Sequence, residues 1–247
     1  MLTAIIGGSG LTELKGLELS HREVMRTPYG EPSGALCYGK LSGCEVVFLT
    51  RHGPGHTFAP HKVNYRANLN ALKQAGTTHV IAVNAVGGIS TDLSPLDLVL
   101  PDQIIDYTYS RAHTFFNSEH EPVIHTDFTR PYCEKARSVI AEAARSNNID
   151  LVETGTYAAT QGPRFETAAE VNRLERDGST IVGMTGMPEA ALARELDLCY
   201  AMIAVVANAA AGRGDGEVSV DEIMQNLQAG IEKARRLLEV AIPGLGC

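Results

Sequence analysis

Short apolar runs of strand length alternate with amphipathic helical patterns from one end of the chain to the other. The runs predict strands at Thr3–Ile6, Ala35–Gly39, Glu45–Thr50, His79–Asn84, Leu98–Leu100, Thr154–Thr160, Thr180–Met184 and Tyr200–Ala207. The helical patterns begin near Lys62, Arg130, Thr167, Glu189 and Val220. Such alternation predicts an α/β fold, here a three-layer αβα sandwich with a mixed central β-sheet.

No repeat, low-complexity tract or linker divides the 247 residues. Because single α/β domains often reach this length, we expect residues 1–247 to form one domain. Local signals mark several helix ends: Gly76 suits a left-handed C-terminal position, and Pro131 suits a first turn. Ser219 and Glu222 have capping-box spacing, and one apolar face follows at Val220, Ile223, Leu227, Ile231, Ala234, Leu238 and Ala241.

Charge and composition exclude some classes of function. The formal net charge is −8, from 21 Lys and Arg against 29 Asp and Glu, whereas broad nucleic-acid binding needs a dense positive surface. The first residues lack the basic segment of a signal peptide, and no apolar run approaches the roughly 20 residues that span a bilayer. We therefore expect a cytoplasmic protein with no nucleic-acid or membrane partner.

The cysteines are odd in number, lack a CxxC pair and are scattered at Cys37, Cys44, Cys133, Cys199 and Cys247. This distribution predicts reduced thiols rather than a zinc site or a disulfide framework.

The segment Tyr107–Thr129 has no clear periodicity, although it carries His113, Phe115, Phe116, His120 and His125. A loop of that length in a compact domain is usually functional or covered by a partner. Two interpretations stay open: a subunit interface or active-site edge, and an ordered surface loop.

Several predicted strands run into turns whose residues suit an anion. Gly7-Gly8-Ser9-Gly10 can direct backbone N–H groups and the Ser9 hydroxyl at a phosphate, but it also suits a plain tight turn. It fails the dinucleotide fingerprint at Glu13, and the Gly-Lys-Ser/Thr of a P-loop is absent.

Arg51 follows another strand beside a glycine turn, where its guanidinium fork can face phosphate or pair with a surface carboxylate. His52 and His56 follow it, but without a third ligand at plausible spacing they predict no metal site. Asn84 and Asn208 each come at the end of an apolar strand, where an amide serves a ligand or merely satisfies the backbone.

Two segments, Thr160–Glu166 and Gly183–Glu189, each end a strand and open towards a helix. The first offers the aromatic face of Phe165 and the carboxylate of Glu166. The second offers the Met184 thioether and the Thr185 hydroxyl. Together these groups suit an uncharged planar heterocycle attached to a polar or anionic group.

In this order the motifs resemble the trimeric purine nucleoside phosphorylase and methylthioadenosine phosphorylase family. The specific matches are Gly7-Gly8-Ser9-Gly10, Arg51-His52-Gly53, Lys62-Val63-Asn64-Tyr65, Asn84-Ala85, Gly162-Pro163-Arg164-Phe165-Glu166 and Met184-Thr185-Gly186-Met187-Pro188-Glu189. The resemblance extends from Gly7 to the last helix. It implies a homotrimer that needs no cofactor beyond inorganic phosphate, which attacks the anomeric carbon and releases a purine and a sugar 1-phosphate.

Carried onto matching positions, the resemblance implies three groups of site residues. The phosphate shell is Ser9, Arg51, His52, Asn84, Ala85 and Thr185. The base and sugar contacts are Phe165, Glu166, Met184, Asn208 and Ala210, and the 5′ pocket is lined by His56, Val220, Ile223 and Met224. Catalytic contributions are expected from Asn208, Arg51 and His52.

Glu166 and Asn208 predict the base. A 6-oxopurine carries an N1–H donor and an O6 acceptor, which match a carboxylate and an amide donor, whereas adenine presents the reverse pattern. Adenine-specific enzymes similar to this family carry an aspartate and a small hydroxyl residue at the two positions. A mismatch can reduce turnover by up to ~10⁴–10⁵-fold, so we expect hypoxanthine or guanine nucleosides.

Val220 predicts the 5′ substituent. It stands where similar purine nucleoside phosphorylases have a histidine for the 5′-hydroxyl, and an apolar side chain there suits a methylthio group. We therefore expect 5′-methylthioinosine as the preferred substrate. The alternatives left open are that Val220 only packs its helix and the substrate is inosine or guanosine, or that the enzyme cleaves methylthioadenosine.

Three other classes of function are less favoured by the sequence. A hydrolytic nucleosidase would not need the phosphate shell, and a nucleoside-sensing binding module would not need intact catalytic positions. A nicotinamide-dependent oxidoreductase would need the glycine fingerprint that fails.

Overall fold

Ten strands form one mixed sheet in the computed structural model, which describes residues 2–116, 124–214, 216 and 218–246. They are β1 Leu2–Gly7, β2 Glu18–Glu23, β3 Leu36–Leu41, β4 Cys44–Thr50, β5 Thr77–Gly88, β6 Leu98–Val99, β7 Gln103–Asp106, β8 Thr156–Ala159, β9 Ile181–Gly183 and β10 Cys199–Ala209. The strand order is β2-β3-β4-β1-β5-β9-β8-β7, with β10 also paired to β5 and β6 to β10.

Parallel pairing in the middle of the sheet positions the site. Strand β1 pairs in parallel with both β4 and β5, and β5 pairs in parallel with β10. Gly7 at the end of β1 is in register with Thr50 of β4 and Val83 of β5. The residues that follow these strands therefore meet at one edge of the sheet, where open α/β sheets bind ligands.

Helices cover both faces of this sheet. They are α1 Tyr65–Gln74, α2 Glu134–Ser146, α3 Ala168–Arg176, α4 Gly186–Glu195 and α5 Val220–Leu245, and a 3₁₀ turn occupies Pro60–Lys62. Leu69 of α1 and Leu192 of α4 join the apolar cluster on one face, whereas Ile140 of α2 and Leu238 of α5 join the cluster on the other. The predicted three-layer α/β architecture is confirmed.

Several helix signals act as predicted. Gly76 adopts φ +80° directly after the Ala75 cap of α1. The Ser219 hydroxyl accepts from the Glu222 N–H, which caps α5. The start of α2 differs, because the helix begins at Glu134 with Cys133 at the N-cap, so Pro131 lies before the helix instead of in its first turn.

Strands β2 and β7 are absent from the prediction for a physical reason. All six residues of β2 are exposed, since the strand lies at the edge of the sheet and neither of its faces is covered. Its sequence, ELSHRE, therefore lacks the apolar alternation by which a strand is recognised. Residues Gln103 and Asp106 at the ends of β7 are likewise exposed.

The expectation of reduced thiols is wrong for Cys133 and Cys199, which form a disulfide. They are 66 residues apart in sequence, but the N-cap of α2 lies beside the first residue of β10, with a Cα–Cα distance of 5.0 Å. That separation falls in the range that a disulfide can bridge. Cys44 is also disulfide-bonded, and Cys37 is a free thiol.

The described part of the segment Tyr107–Thr129 is anchored to the rest of the fold. Phe115 joins the apolar core, and its N–H donates to the Glu195 carboxylate at 2.8 Å. Tyr109 and Phe116 stay exposed, and His120 lies outside the described residues. No helix in the described ranges is long and apolar enough to cross a membrane.

Candidate active site

A cavity of about 480 Å³ opens at the carboxyl ends of β1, β4, β5 and β10. Of the predicted site residues, those that line it are Ser9, Arg51, His52, His56, Ala85, Phe165, Glu166, Met184, Thr185, Asn208, Ala210, Val220, Ile223 and Met224. Asn84 lies just behind the lining, against Arg51 and Thr185. Residues from distant parts of the chain thus converge on one space.

Most of the guanidinium N–H groups of Arg51 donate to acceptors within the protein. Nε and Nη2 donate to the two carboxylate oxygens of Glu189 at 2.7 and 2.8 Å, and both side chains are fully buried. Nη2 also donates to Asn84 Oδ1, and Nη1 donates to the Val83 carbonyl. The predicted fork therefore grips a protein carboxylate, and among the described residues only Nη1 keeps an N–H without an acceptor.

The charge state of this pair follows from its surroundings. Burial disfavours the charge on Arg51, but the adjoining Glu189 carboxylate outweighs burial, and the net effect raises the pKa of Arg51. Tyr200 donates its hydroxyl to the same carboxylate at 2.8 Å. The ion pair is thus rigid and electrically neutral overall, so the cavity gains oriented donors rather than a net positive charge.

Asn84 links Arg51 to Thr185 by hydrogen bonds. Its Oδ1 is fixed by Arg51, so its amide nitrogen faces Thr185 and donates to Oγ1 at 2.8 Å. Because Thr185 Oγ1 accepts this bond, its own O–H stays available to donate into the cavity. The Tyr157 hydroxyl accepts from the Thr185 N–H at 3.2 Å, which fixes the backbone at the same residue.

The Gly7–Gly10 turn brings Ser9 to the cavity by close backbone packing. The Gly8 N–H donates to the Val83 carbonyl at 3.1 Å, and a Cβ at Gly8 would lie 2.7 Å from Arg51 Nη1. Gly10 adopts φ +79°, which favours glycine. The turn is therefore a tight one that also presents the Ser9 hydroxyl to the cavity.

His52 is neutral and its tautomer is fixed. Its Nδ1 lies 2.7 Å from the Phe58 carbonyl, which can only accept, so Nδ1 carries the proton. Burial, followed by the charge of Arg51, lowers the pKa of His52 to about 4. Burial also lowers the pKa of His56, whose ring lies 4.6 Å from that of His52. His52 Nε2 is therefore a hydrogen-bond acceptor at neutral pH.

One end of the cavity carries the aromatic and amide groups. Glu166 accepts a 2.6 Å hydrogen bond from the Thr160 hydroxyl on Oε1, and within the described ranges Oε2 has no donor and can accept from a ligand. Asn208 donates one amide hydrogen to the Ala209 carbonyl at 2.6 Å, and its other amide hydrogen has no acceptor in the part of the chain that the structure describes. Phe165 lines the same space and is 44% exposed, so its ring is available to a ligand.

The first turn of α5 closes the other end with apolar groups. Val220, Ile223 and Met224 line the cavity there, and Val220 is 60% exposed. Met184 also lines the cavity and packs closely on Gly162, since a Cβ on Gly162 would lie 2.5 Å from its sulfur. Among the described residues no group of three or more His, Cys, Asp or Glu side chains is arranged to hold a metal ion.

Glu189 ends one of the family motifs but has no role among the predicted site residues, although a signal was present. It lies within the otherwise uncharged run Gly186–Ala193 at the start of α4, a stretch with the composition of a buried helix. A carboxylate is almost never fully buried unless it is paired, so such a residue indicates a buried ion pair. Its partner, Arg51, is 138 residues away in sequence and could not be identified without the fold.

Comparison with known proteins agrees with this geometry. Residues 3–243 match the model of the Phosphorylase superfamily. A protein of Pseudomonas syringae pv. tomato named "Probable S-methyl-5'-thioinosine phosphorylase" is 51% identical over 95% of this chain and 96% of its own length. A protein of Pyrococcus furiosus named "6-oxopurine nucleoside phosphorylase" is 44% identical over 97% of this chain and 91% of its own.

A solved structure extends the likeness to the fold. Methylthioadenosine phosphorylase from Schistosoma mansoni in complex with adenine matches with a TM-score of 0.95 and 34% identity, covering 99% of this chain and 91% of that one. The family predicted from the motifs is thereby confirmed. The chain belongs to the Phosphorylase superfamily.

Proposed function

We propose that this chain catalyses phosphorolysis of a 6-oxopurine nucleoside and prefers S-methyl-5′-thioinosine. Phosphate attacks the anomeric carbon as the bond to the purine breaks, which yields hypoxanthine and 5-methylthioribose 1-phosphate. The observation that carries the proposal is the single cavity of about 480 Å³, in which donors for an anion, groups for a keto base and an apolar end lie together. The names of the bacterial relatives support the same reaction.

Phosphate binding rests on oriented hydrogen bonds. Ser9, Arg51 and Thr185 all line the cavity, where the two hydroxyls and the remaining Nη1 N–H of Arg51 can donate to phosphate. His52 Nε2 supplies an acceptor there, which matches the proton that hydrogen phosphate retains at neutral pH. Because these groups are positioned before the ligand arrives, binding requires little reorganisation.

Catalysis then follows from charge development. Cleavage of the glycosidic bond passes through an oxocarbenium-like state, in which the sugar becomes positive and the purine gains electron density. Bound phosphate counters the positive sugar and is also the nucleophile. The free amide hydrogen of Asn208 stabilises the departing base at N7 or O6, a type of contact worth about 3–4 kcal/mol in other enzymes.

Glu166 and Asn208 favour a keto base. The ionised carboxylate of Glu166 only accepts, so its free oxygen suits the N1–H of hypoxanthine and repels the lone pair of adenine N1. The Schistosoma mansoni enzyme is named for methylthioadenosine and binds adenine, whereas the bacterial relatives are named for methylthioinosine. The carboxylate–amide pair of Glu166 and Asn208 therefore favours the substrate for which the bacterial relatives are named.

A general 6-oxopurine nucleoside phosphorylase is the second candidate. His56 lines the cavity and its neutral imidazole could hydrogen-bond a 5′-hydroxyl, and the Pyrococcus furiosus relative is named for 6-oxopurine nucleosides in general. The apolar end formed by Val220, Ile223 and Met224 favours the methylthio substrate instead. A methylthioadenosine phosphorylase would require the opposite hydrogen-bonding pattern at Glu166 and Asn208.

Homotrimeric assembly is part of the proposal. Phe165 at the cavity and Tyr109 and Phe116 in the segment Tyr107–Thr129 are exposed aromatic side chains in this single chain. A neighbouring subunit would cover such groups, as the resemblance to trimeric enzymes implies. A cytoplasmic location stays a prediction, and the Cys133–Cys199 disulfide removes the cysteine argument for it.

Ultraviolet detection of base release, with and without phosphate, tests the reaction class. We expect release of hypoxanthine from methylthioinosine only when phosphate is present. Thr185→Val removes one donor to phosphate and should raise the KM for phosphate by roughly 10- to 100-fold, the equivalent of a hydrogen bond to a charged group. Thr78→Val makes the same change at an exposed residue outside the cavity and should leave that KM unchanged.

Each alternative class has its own outcome in this assay. Equal base release without phosphate would indicate a hydrolytic nucleosidase. Binding of the nucleoside without any release of base would indicate a sensing module.

A further inference from the structure

Arg111 is a buried cation outside the cavity lining, with only 8% of its surface exposed. Its guanidinium donates to backbone carbonyls on the loop after β8, at 3.2 Å to Thr160 and 2.8 Å to Gln161. It also donates to carbonyls on the second loop, between β9 and α4 and including the kinked start of that helix, at 2.8 Å to Met184 and 2.6 Å to Met187. Nε also donates to the Gln161 side chain at 3.1 Å. One side chain therefore connects both loops.

These acceptors are unusual for a buried arginine. Among the described residues no carboxylate forms an ion pair with Arg111, so its charge is surrounded by carbonyl dipoles and by the ring and hydroxyl of Tyr65. Burying a cation without a counterion is costly unless its donors are satisfied. A planar guanidinium with five donors can satisfy carbonyls on both loops at once, which an ammonium group cannot do.

The segment around Arg111 contacts the first loop through the Tyr109 N–H, which donates to the Gln161 side chain at 3.2 Å, but it is also held outside the two loops. Phe115, four residues further on, packs in the core and donates its N–H to Glu195. The guanidinium also lies 5.7 Å from the centre of the Tyr65 ring, on α1. Arg111 is thus attached to a fixed part of the fold and holds the loops from there.

We propose that Arg111 is a positioning residue that sets the distance between the two loops on which the nucleoside is held. The first loop, Thr160–Glu166, carries Phe165 and Glu166, and the second carries Met184 and Thr185. This inference rests on the proposed function, because the loops would grip base, sugar and phosphate in that reaction. A misplacement of about 1 Å can cost roughly 100-fold in rate, so the connection that Arg111 makes between the loops matters for turnover.

Substitution of Arg111 tests the proposal, with Arg137 as the matched control. Arg137 is also 8% exposed and also donates to two backbone carbonyls, those of Pro101 and Glu153, but none of these residues lines the cavity. We expect Arg111→Ala to lower kcat/KM for methylthioinosine by roughly 100-fold, through both KM and kcat. Arg137→Ala should lower the melting temperature while kcat/KM stays within about threefold.

Two further measurements separate positioning from general stability. Added guanidinium ion, kept below unfolding concentrations, should restore part of the activity of Arg111→Ala. It should not raise the activity of Arg137→Ala. Arg111→Lys keeps the charge but cannot span both loops, and we expect an intermediate loss of kcat/KM. If Arg111→Ala does not fold, Arg111→Lys decides: kcat/KM within threefold of the parent would overturn the proposal.

Amide hydrogen exchange distinguishes failure of this inference from failure of the proposed function. In Arg111→Lys, peptides covering residues 160–166 and 183–187 should exchange faster, with no such change in Arg137→Ala. This readout needs no substrate, so it holds even if the parent cleaves no nucleoside. Unchanged exchange of both loops in Arg111→Lys would refute the positioning role of Arg111. Faster exchange in that variant, together with a parent that cleaves no nucleoside, would refute only the proposed reaction.

Discussion

Glu166, in the loop after β8, and Asn208, near the end of β10, reach the same cavity, and each has one hydrogen-bonding atom already engaged. Thr160 holds one Glu166 oxygen, and the Ala209 carbonyl holds one hydrogen of the Asn208 amide. Among the described residues, the groups that remain include Glu166 Oε2 as an acceptor and one Asn208 amide hydrogen as a donor, and these two complement the N1–H and O6 edge of hypoxanthine. The proposed base preference therefore rests on these two atoms.

Asn208→Asp should shift preference towards 6-aminopurines. The new carboxylate accepts from the adenine amino group but repels O6, so the ratio of kcat/KM for methylthioadenosine over methylthioinosine should rise by roughly 10- to 100-fold. Steady-state rates with both nucleosides at saturating phosphate measure the ratio. Asn148→Asp, an exposed site with the same change of charge, is the control, and an unchanged ratio in Asn208→Asp would show that this residue does not select the base.

His52 should make stability depend on pH. Its pKa is about 4 in the folded chain, against 6.5 for an unperturbed histidine, so below pH 6.5 the unfolded chain binds a proton that the folded chain does not. The free energy of unfolding should therefore fall as pH decreases from 6.5 to 4, by about 3 kcal/mol for this residue. Urea unfolding of the parent and of His52→Gln across this range isolates the effect, and parallel curves would contradict it.

The first turn of α5 shows how one helix serves both packing and binding. From Leu227 onwards its apolar face is buried against the sheet, but Val220 and Met224 are exposed and line the cavity. The Ser219 cap fixes where the helix begins and hence where these side chains point. A single apolar stripe in the sequence is thus divided between the core and the lining of the cavity.

Val220→His should lower the preference for the methylthio group. An imidazole there can hydrogen-bond a 5′-hydroxyl and removes apolar surface, so the ratio of kcat/KM for inosine over methylthioinosine should rise by roughly tenfold or more. Initial rates with the two substrates measure the ratio. The matched substitution Val24→His, at an exposed site outside the cavity lining, should leave it unchanged. A constant ratio in Val220→His would mean that Val220 does not contact the 5′ group.

The sequence predicts those parts of the structure that depend on local pattern. Buried strands ending in glycine turns are visible because their apolar runs are short and sharply bounded, as at Ile5–Gly10. Strand β2 cannot be predicted from an apolar pattern because both of its faces are exposed. The Arg51–Glu189 pair and the carbonyls that surround Arg111 depend on residues far apart in sequence, and backbone acceptors leave no trace in the identity of a side chain.

The molecule as a whole places its site by parallel pairing. Four neighbouring strands end at one edge, so the residues after each of them share a cavity without any one loop having to be long. The Cys133–Cys199 disulfide lies elsewhere, where it joins the start of α2 to the start of β10. The start of β10 therefore carries the disulfide, and its other end carries residues that line the cavity.

Removal of this disulfide should change stability and spare activity. It closes a loop with a sequence separation of 66 residues, and cross-links of this kind contribute about 2–4 kcal/mol by restricting the unfolded chain. The double variant Cys133→Ser/Cys199→Ser should lose this amount of unfolding free energy in non-reducing buffer. Its kcat/KM should equal that of the parent, because neither cysteine lines the cavity. Cys37→Ser, at a free thiol, is the control, and equal stability of all three proteins would contradict the prediction.

Competition among three nucleosides decides whether the cavity selects a keto base carrying an apolar 5′ group. The measurement is kcat/KM for S-methyl-5′-thioinosine, inosine and S-methyl-5′-thioadenosine at saturating phosphate. We predict that methylthioinosine is cleaved best, with inosine lower by roughly 10- to 100-fold and methylthioadenosine lower by at least about 100-fold. Cleavage of methylthioadenosine as fast as that of methylthioinosine would contradict the assignment of Glu166 and Asn208.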